Sequence, residues 1–137
     1  MFSIGELSRR AGVKVPTIRY YEQVGLMKAP ARTIGNQRRY GRAELDRLTF
    51  IRNARELGLP LSAIRELARM SDHPDQPCEA ADRIAREHLA EVRARIARLQ
   101  RLEVELARLA AGCVAQRAAE CRVIAALAEP AHIDGRA

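Results

Sequence analysis

Tryptophan is absent from this chain of 137 residues, and aromatic side chains make up only 4% of it. So few rings argue against a large aromatic pocket for an organic ligand. Cysteine is scarce too: Cys78, Cys113 and Cys121 are an odd number with no Cys-x-x-Cys pair. That spacing argues against a thiol oxidoreductase, and a reducing cytosol would keep such thiols from structural disulfides. Their open readings are inert core residues, a reactive thiol, or metal ligands. No window approaches the roughly 18 uninterrupted apolar residues of a transmembrane helix. Met1 to Gly12 carries Glu6, Arg9 and Arg10 within an amphipathic pattern, which is not a signal peptide, so a cytoplasmic protein with no membrane partner is expected. Catalytic sets are missing as well. Ser3, Ser8, Ser62 and Ser71 have no histidine at motif spacing, there is no glycine-rich phosphate loop, and a non-enzyme is expected. No internal repeat is found.

What is present is alanine, leucine and arginine, a mix that favours helices over sheets. Apolar residues reach 47%, and the formal charge is +7. A small basic protein is a candidate for nucleic acid or an anionic surface. Ser3 before Ile4-Gly5-Glu6-Leu7 fits a helix N-cap with glutamate at the third helical position, and Gly12 stops that helix. Pro16 can open a second helix, Thr17 to Val24, which Gly25 ends. Two short helices joined by a tight turn with glycine read as a helix-turn-helix. Lys28 to Gly41 then reads as a small two-stranded wing, with Gly35-Asn36 at its turn. The outward candidates for DNA are Lys14, Thr17, Arg19, Tyr20 and Tyr21 around the second helix and Arg32, Arg38 and Arg39 on the wing. The bland alternative is a solvated helix pair in any all-α protein.

Further helices are expected over Arg42 to Leu57, with Leu45, Leu48, Ile51, Ala54 and Leu57 inward, and from Leu61 through Arg69, with Ile64, Leu67 and Ala68 inward. From Glu79 to Gly112 no proline or internal glycine interrupts a helix of about 50 Å. Leu89, Val92, Ile96, Leu99, Leu102, Leu106 and Leu109 recur on it in steps of three and four, a narrow coiled-coil seam. Glu91 and Arg95 make an i,i+4 pair. Such a seam needs a partner helix, most simply its own copy, parallel or antiparallel. The expected organisation is a DNA-binding domain over residues 1–70, a linker over 71–78, a dimerisation helix over 79–112, a loop with a short helix over 113–128, and a flexible tail over 129–137.

Ile4-Gly5-Glu6-Leu7, Thr17-Ile18-Arg19-Tyr20-Tyr21-Glu22, Gly25-Leu26, Arg38-Arg39-Tyr40 and Leu48-Thr49-Phe50-Ile51-Arg52 together resemble the winged helix-turn-helix head of the MerR family of transcriptional regulators. The likeness runs from Ile4 to about Leu67. Gln37 departs from it, standing where the wing pattern has an aromatic or aliphatic residue. The resemblance implies a mainly α fold: a head with a β-hairpin wing, then a long antiparallel coiled-coil helix, then a metal-binding loop with a short helix. It implies a homodimer on pseudo-palindromic double-stranded promoter DNA, with Thr17, Arg19, Tyr20, Arg38 and Tyr40 near the DNA. It further implies that the metal-bound form distorts the promoter spacer so that RNA polymerase can use it.

With antiparallel helices, Cys78 of one protomer would meet Cys113 and Cys121 of its partner. The resemblance also assigns a cysteine at position 78 to the branch that senses divalent metals, since copper(I) sensors have another residue there. Three thiolates favour soft ions: cadmium or lead is expected, with zinc or mercury as alternatives. Glu120 or His132 is a candidate additional ligand. His73, in the loop before Cys78, is a candidate to hold a metal-binding side chain in place without binding the ion itself, and His88 is expected on the helix surface. The rivals are a thiol-redox regulator of the same fold and a coiled-coil interaction protein that binds acidic partners.

Overall fold

The computed structural model describes residues 1–30, 39–111 and 117–130. They form α1 (Ile4–Ala11), α2 (Val15–Gln23), α3 (Arg42–Glu56), α4 (Leu61–Ser71), α5 (Glu79–Ala111), a 3₁₀ turn (Ala118–Glu120) and α6 (Arg122–Ala128). The chain divides into two compact units, Met1–Ile84 and Ala85–Ala137.

The first unit is a helical cluster in which α3 packs on both α1 and α4, and α1 packs on α2. Local signals set its boundaries. The Ser3 hydroxyl accepts the Glu6 amide at 3.2 Å, and Gly12 closes α1 in the left-handed conformation with φ 69°. That conformation costs glycine little and other residues more. Pro16 lies in the first turn of α2, where its missing N–H breaks no helical bond. Leu7, Ile18, Tyr40, Leu48, Ile51 and Ile64 are fully buried and bring all four helices into one core. Each contributes on the order of 1.5–3 kcal/mol by leaving water. Ile84, in the second turn of α5, is buried in the same core. The Arg83–Glu66 ion pair, at 3.0 Å, joins that turn to α4. For this reason the unit runs past the expected linker.

Leu57 departs from the expected inward series, being 70% exposed. The helix stops at Glu56, Gly58 turns with φ 83°, and Leu59 is buried instead. The wing falls largely on residues 31–38, outside the described residues. Among the described residues no strand occurs; Phe2 and Tyr40 form an isolated antiparallel bridge, with Tyr40 N donating to Phe2 O at 2.8 Å.

In the second unit α6 packs against the 3₁₀ turn. Leu89, Ile96, Leu99 and Leu106 of the expected seam are exposed along α5, while Leu109 is buried. The expected Glu91–Arg95 pair is not formed. Glu91 Oε2 instead lies 3.7 Å from His88 Nδ1, and the His88 side chain is largely buried rather than on the surface.

Candidate functional site

Lys14 precedes α2 in extended backbone, and its carbonyl accepts the amides of Thr17 and Ile18, both at 3.0 Å. This start commits Ile18 and Tyr21 to the core and leaves Lys14, Arg19 and Tyr20 in solvent, with Thr17 partly exposed. Neither Lys14 nor Arg19 meets an acid among the described residues. The helix therefore presents an uncompensated cationic edge beside a phenol, a donor set suited to phosphate oxygens and base edges. Arg39 is partly exposed. Arg32 and Arg38 lie outside the described residues.

Tyr21 and Tyr40, both expected to face DNA, are instead buried in the core of the single chain. Tyr21 is 7% exposed, and its ring stands tilted at 52° to that of Tyr20, 6.0 Å between centres. Tyr40 is fully buried, and its hydroxyl donates to Glu22 Oε2 at 2.8 Å. A phenol buried without a partner costs a few kcal/mol, so the end of α2 supplies one. Tyr40 thus ties the chain entering α3 both to α2, through its hydroxyl, and to Phe2, through its backbone. The Arg10 guanidinium lies 4.4 Å over the Phe2 ring and steadies that N-terminal residue.

Sequence reasoning missed Glu22, Arg52 and Phe2 as the residues that position this surface. Arg52 of α3 donates to the Ala11 carbonyl at 3.4 Å, satisfying the end of α1 just before the turn into α2. The one available signal was Glu22 itself, an acid next to the two tyrosines of a helix read as cationic.

Cys78 is exposed and lies directly before α5, its carbonyl accepting the Asp82 amide at 3.1 Å. Cys121 is partly exposed and precedes α6 in the same way, accepting the Ala125 amide at 3.0 Å. Of these two thiols, that of Cys78 is free. They belong to different units, and Cys113 and His132 lie outside the described residues. Among the described residues of one chain, no three Cys, His, Asp or Glu side chains converge as a metal site. His73 Nδ1 is committed to the Arg69 carbonyl at 2.9 Å, and Glu120 is exposed. Also among the described residues, no helix is long and apolar enough to cross a membrane.

Comparison with known proteins gives two family matches: a MerR HTH family regulatory protein model over residues 2–71 and a MerR DNA-binding model over residues 45–109. The chain is 39% identical over 136 residues to the mercuric resistance operon regulatory protein of Pseudomonas fluorescens, covering 98% of this chain and 93% of that one. It is 42% identical over 134 residues to the HTH-type transcriptional regulator ZntR of Escherichia coli K12, covering 96% and 95%. Among solved structures it is similar to the transcription regulator PbrR691 of Ralstonia metallidurans CH34 in complex with lead(II). The TM-score there is 0.82 at 39% identity, covering 93% of this chain and all of that one.

Proposed function

This chain belongs to the MerR family of helix-turn-helix transcriptional regulators, and on that premise we propose that it binds promoter DNA as a homodimer and responds to a soft divalent metal ion, cadmium or lead. The observation that carries the reading is near full-length similarity to regulators named for mercury and zinc responses and to one solved with lead(II), in a chain with cysteines at positions 78, 113 and 121.

The ligand set proposed is Cys78 of one protomer with Cys113 and Cys121 of its partner. The donor chemistry fits: thiolates select soft ions. When bound, the ion supplies a soft Lewis acid that holds thiolates of two chains together. An intrachain set is disfavoured by covalent geometry, since the 33 residues of α5 extend about 50 Å between Cys78 and Cys113. The exposed apolar stripe of Leu89, Ile96, Leu99 and Leu106 is the surface proposed to pair the two long helices.

The chain's own residues then have separate tasks. Lys14, Thr17, Arg19 and Tyr20 hold the DNA, with Arg32, Arg38 and Arg39 proposed to join them from the wing. Glu22, through Tyr40, keeps the wing's exit in register with α2. The α5 pairing sets the distance between the two heads. A preference of the ligand set for one arrangement of the heads supplies the few kcal/mol that promoter deformation costs, presenting the spacer to RNA polymerase.

The test is titration of the reduced dimer with lead, cadmium, mercury and zinc, read by thiolate-to-metal ultraviolet bands, together with transcription from the cognate promoter. Lead or cadmium should bind tightest and activate, and each single Cys→Ser variant should lose both responses. Unchanged metal affinity in the variant lacking all three thiols would end the metal-sensor reading.

A further inference from the structure

A concavity of about 680 Å³ opens in the first unit, between the segment after α2, the first half of α3 and the last turns of α4. Leu26, Met27 and Ala68 contribute buried apolar surface to its lining. Four cationic side chains also line it, Lys28, Arg47, Arg65 and Arg69, against two carboxylates, Glu44 and Asp72.

Both carboxylates have other partners, a neutral amide for Glu44 and a cation for Asp72. Glu44 accepts the Gly41 amide at 2.6 Å, and Asp72 holds the Arg47 guanidinium. Lys28, Arg65 and Arg69 have no acidic partner among the described residues. One of these cations also sits against the backbone: the Arg65 guanidinium lies 3.3 Å from the point a Cβ on Gly25 would occupy, at a backbone φ of +82°. The left-handed backbone of the turn after α2 favours glycine at position 25.

Four cations against two carboxylates leave the lining with an excess of positive charge, and an anion placed beside Lys28, Arg65 and Arg69 offsets it. Guanidinium forks match the planar geometry of carboxylate and phosphate oxygens. The volume lies within the ~300–1,000 Å³ of ordinary small-molecule sites, and an apolar wall with a few convergent charges is their usual make-up. None of Lys14, Thr17, Arg19 or Tyr20 lines the hollow, so it is separate from the exposed edge of α2.

We propose that this concavity binds a small, multiply charged oxyanion, with Lys28, Arg65 and Arg69 as its cationic ligands. Phosphate esters and polycarboxylates share that chemistry. The test is calorimetric titration of the intact, DNA-free dimer at low salt, with pyrophosphate, AMP and citrate as separate probes. At least one should bind with one site per chain. The pyrophosphate and AMP arms against the citrate arm tell which oxyanion is preferred. Arg65 and Arg69 are both exposed, so the double variant Arg65→Ala/Arg69→Ala should keep its circular dichroism and melting profile while affinity falls at least tenfold. Lys28→Ala should weaken binding separately, and Arg19→Ala should leave it unchanged. The proposal is overturned if no probe binds, if the double variant binds as the parent does, or if Arg19→Ala abolishes binding instead.

Discussion

Replacing Tyr40 with phenylalanine removes one oxygen and little else. The ring is fully buried among core residues and keeps its packing, while the 2.8 Å hydrogen bond to Glu22 is lost. A hydrogen bond to a charged acceptor contributes about 1.5–3 kcal/mol net, more than one between neutral groups. Glu22 has a further interaction besides this one and is only partly buried, so its carboxylate is not stranded. The expected cost is therefore near the lower bound, about 1.5 kcal/mol, roughly a tenfold drop in the folding equilibrium. Chemical denaturation of the protein should show a lowered midpoint with an unchanged slope, because the surface exposed on unfolding is the same. Glu22→Gln should cost less than Tyr40→Phe, since an amide oxygen can still accept. DNA affinity, measured by anisotropy well below the melting temperature, should change by less than twofold for Tyr40→Phe if the hydroxyl serves the core rather than a phosphate. A Tyr40→Phe protein as stable as the parent, or one with parental stability and tenfold weaker DNA binding, would refute this assignment and return Tyr40 to the DNA-facing set.

Arg19→Ala should weaken operator binding by about 1–3 kcal/mol, and affinity of the parent should fall steeply with salt as phosphates release their counterions; equal binding by gel shift would remove Arg19 from the interface. Leu99 is 57% exposed in the single chain, so Leu99→Asp should leave that chain's own fold unharmed and show up only in assembly, as a monomer in sedimentation; a tight folded dimer would mean the seam lies elsewhere. Mixed dimers test the shared thiol set. With Cys78→Ser and Cys113→Ser on opposite chains, one full-affinity metal site should survive per dimer. With both on one chain none should survive, and the reverse result would establish an intrachain site.

Sequence patterns that depend on near neighbours were legible on their own. The Ser3 cap, the glycine stop at position 12 and the proline start at position 16 are contacts within one helical turn. The start of α5 at Glu79 and its end at Ala111 follow from uninterrupted helix formers. The exposed cations at the start of α2 were legible for the same reason, since Lys14, Thr17 and Arg19 are near neighbours in the sequence. Periodicity did not say how far the core reaches around the helix. It therefore misassigned Tyr21, whose ring belongs inside, and Leu57, which the turn at Gly58 rotates outward in favour of Leu59.

Only the tertiary structure paired Tyr40 with Glu22, 18 residues away, and Arg52 with the carbonyl of Ala11, 41 residues away. Such partners are chosen by which buried polar group would otherwise go unsatisfied, and no local pattern records that. The hollow lined by Lys28, Arg65 and Arg69 was invisible for a related reason. Its cations come from two separated segments, and their lack of partners follows from where Glu44 and Asp72 are spent. Charge and propensity are properties of residues, so the sequence alone determined a basic, helical chain, and its motifs supplied the resemblance to a family of DNA-binding regulators. Burial and pairing are properties of positions in space, so the fold decided which of its polar groups hold the head together and which remain to bind something else.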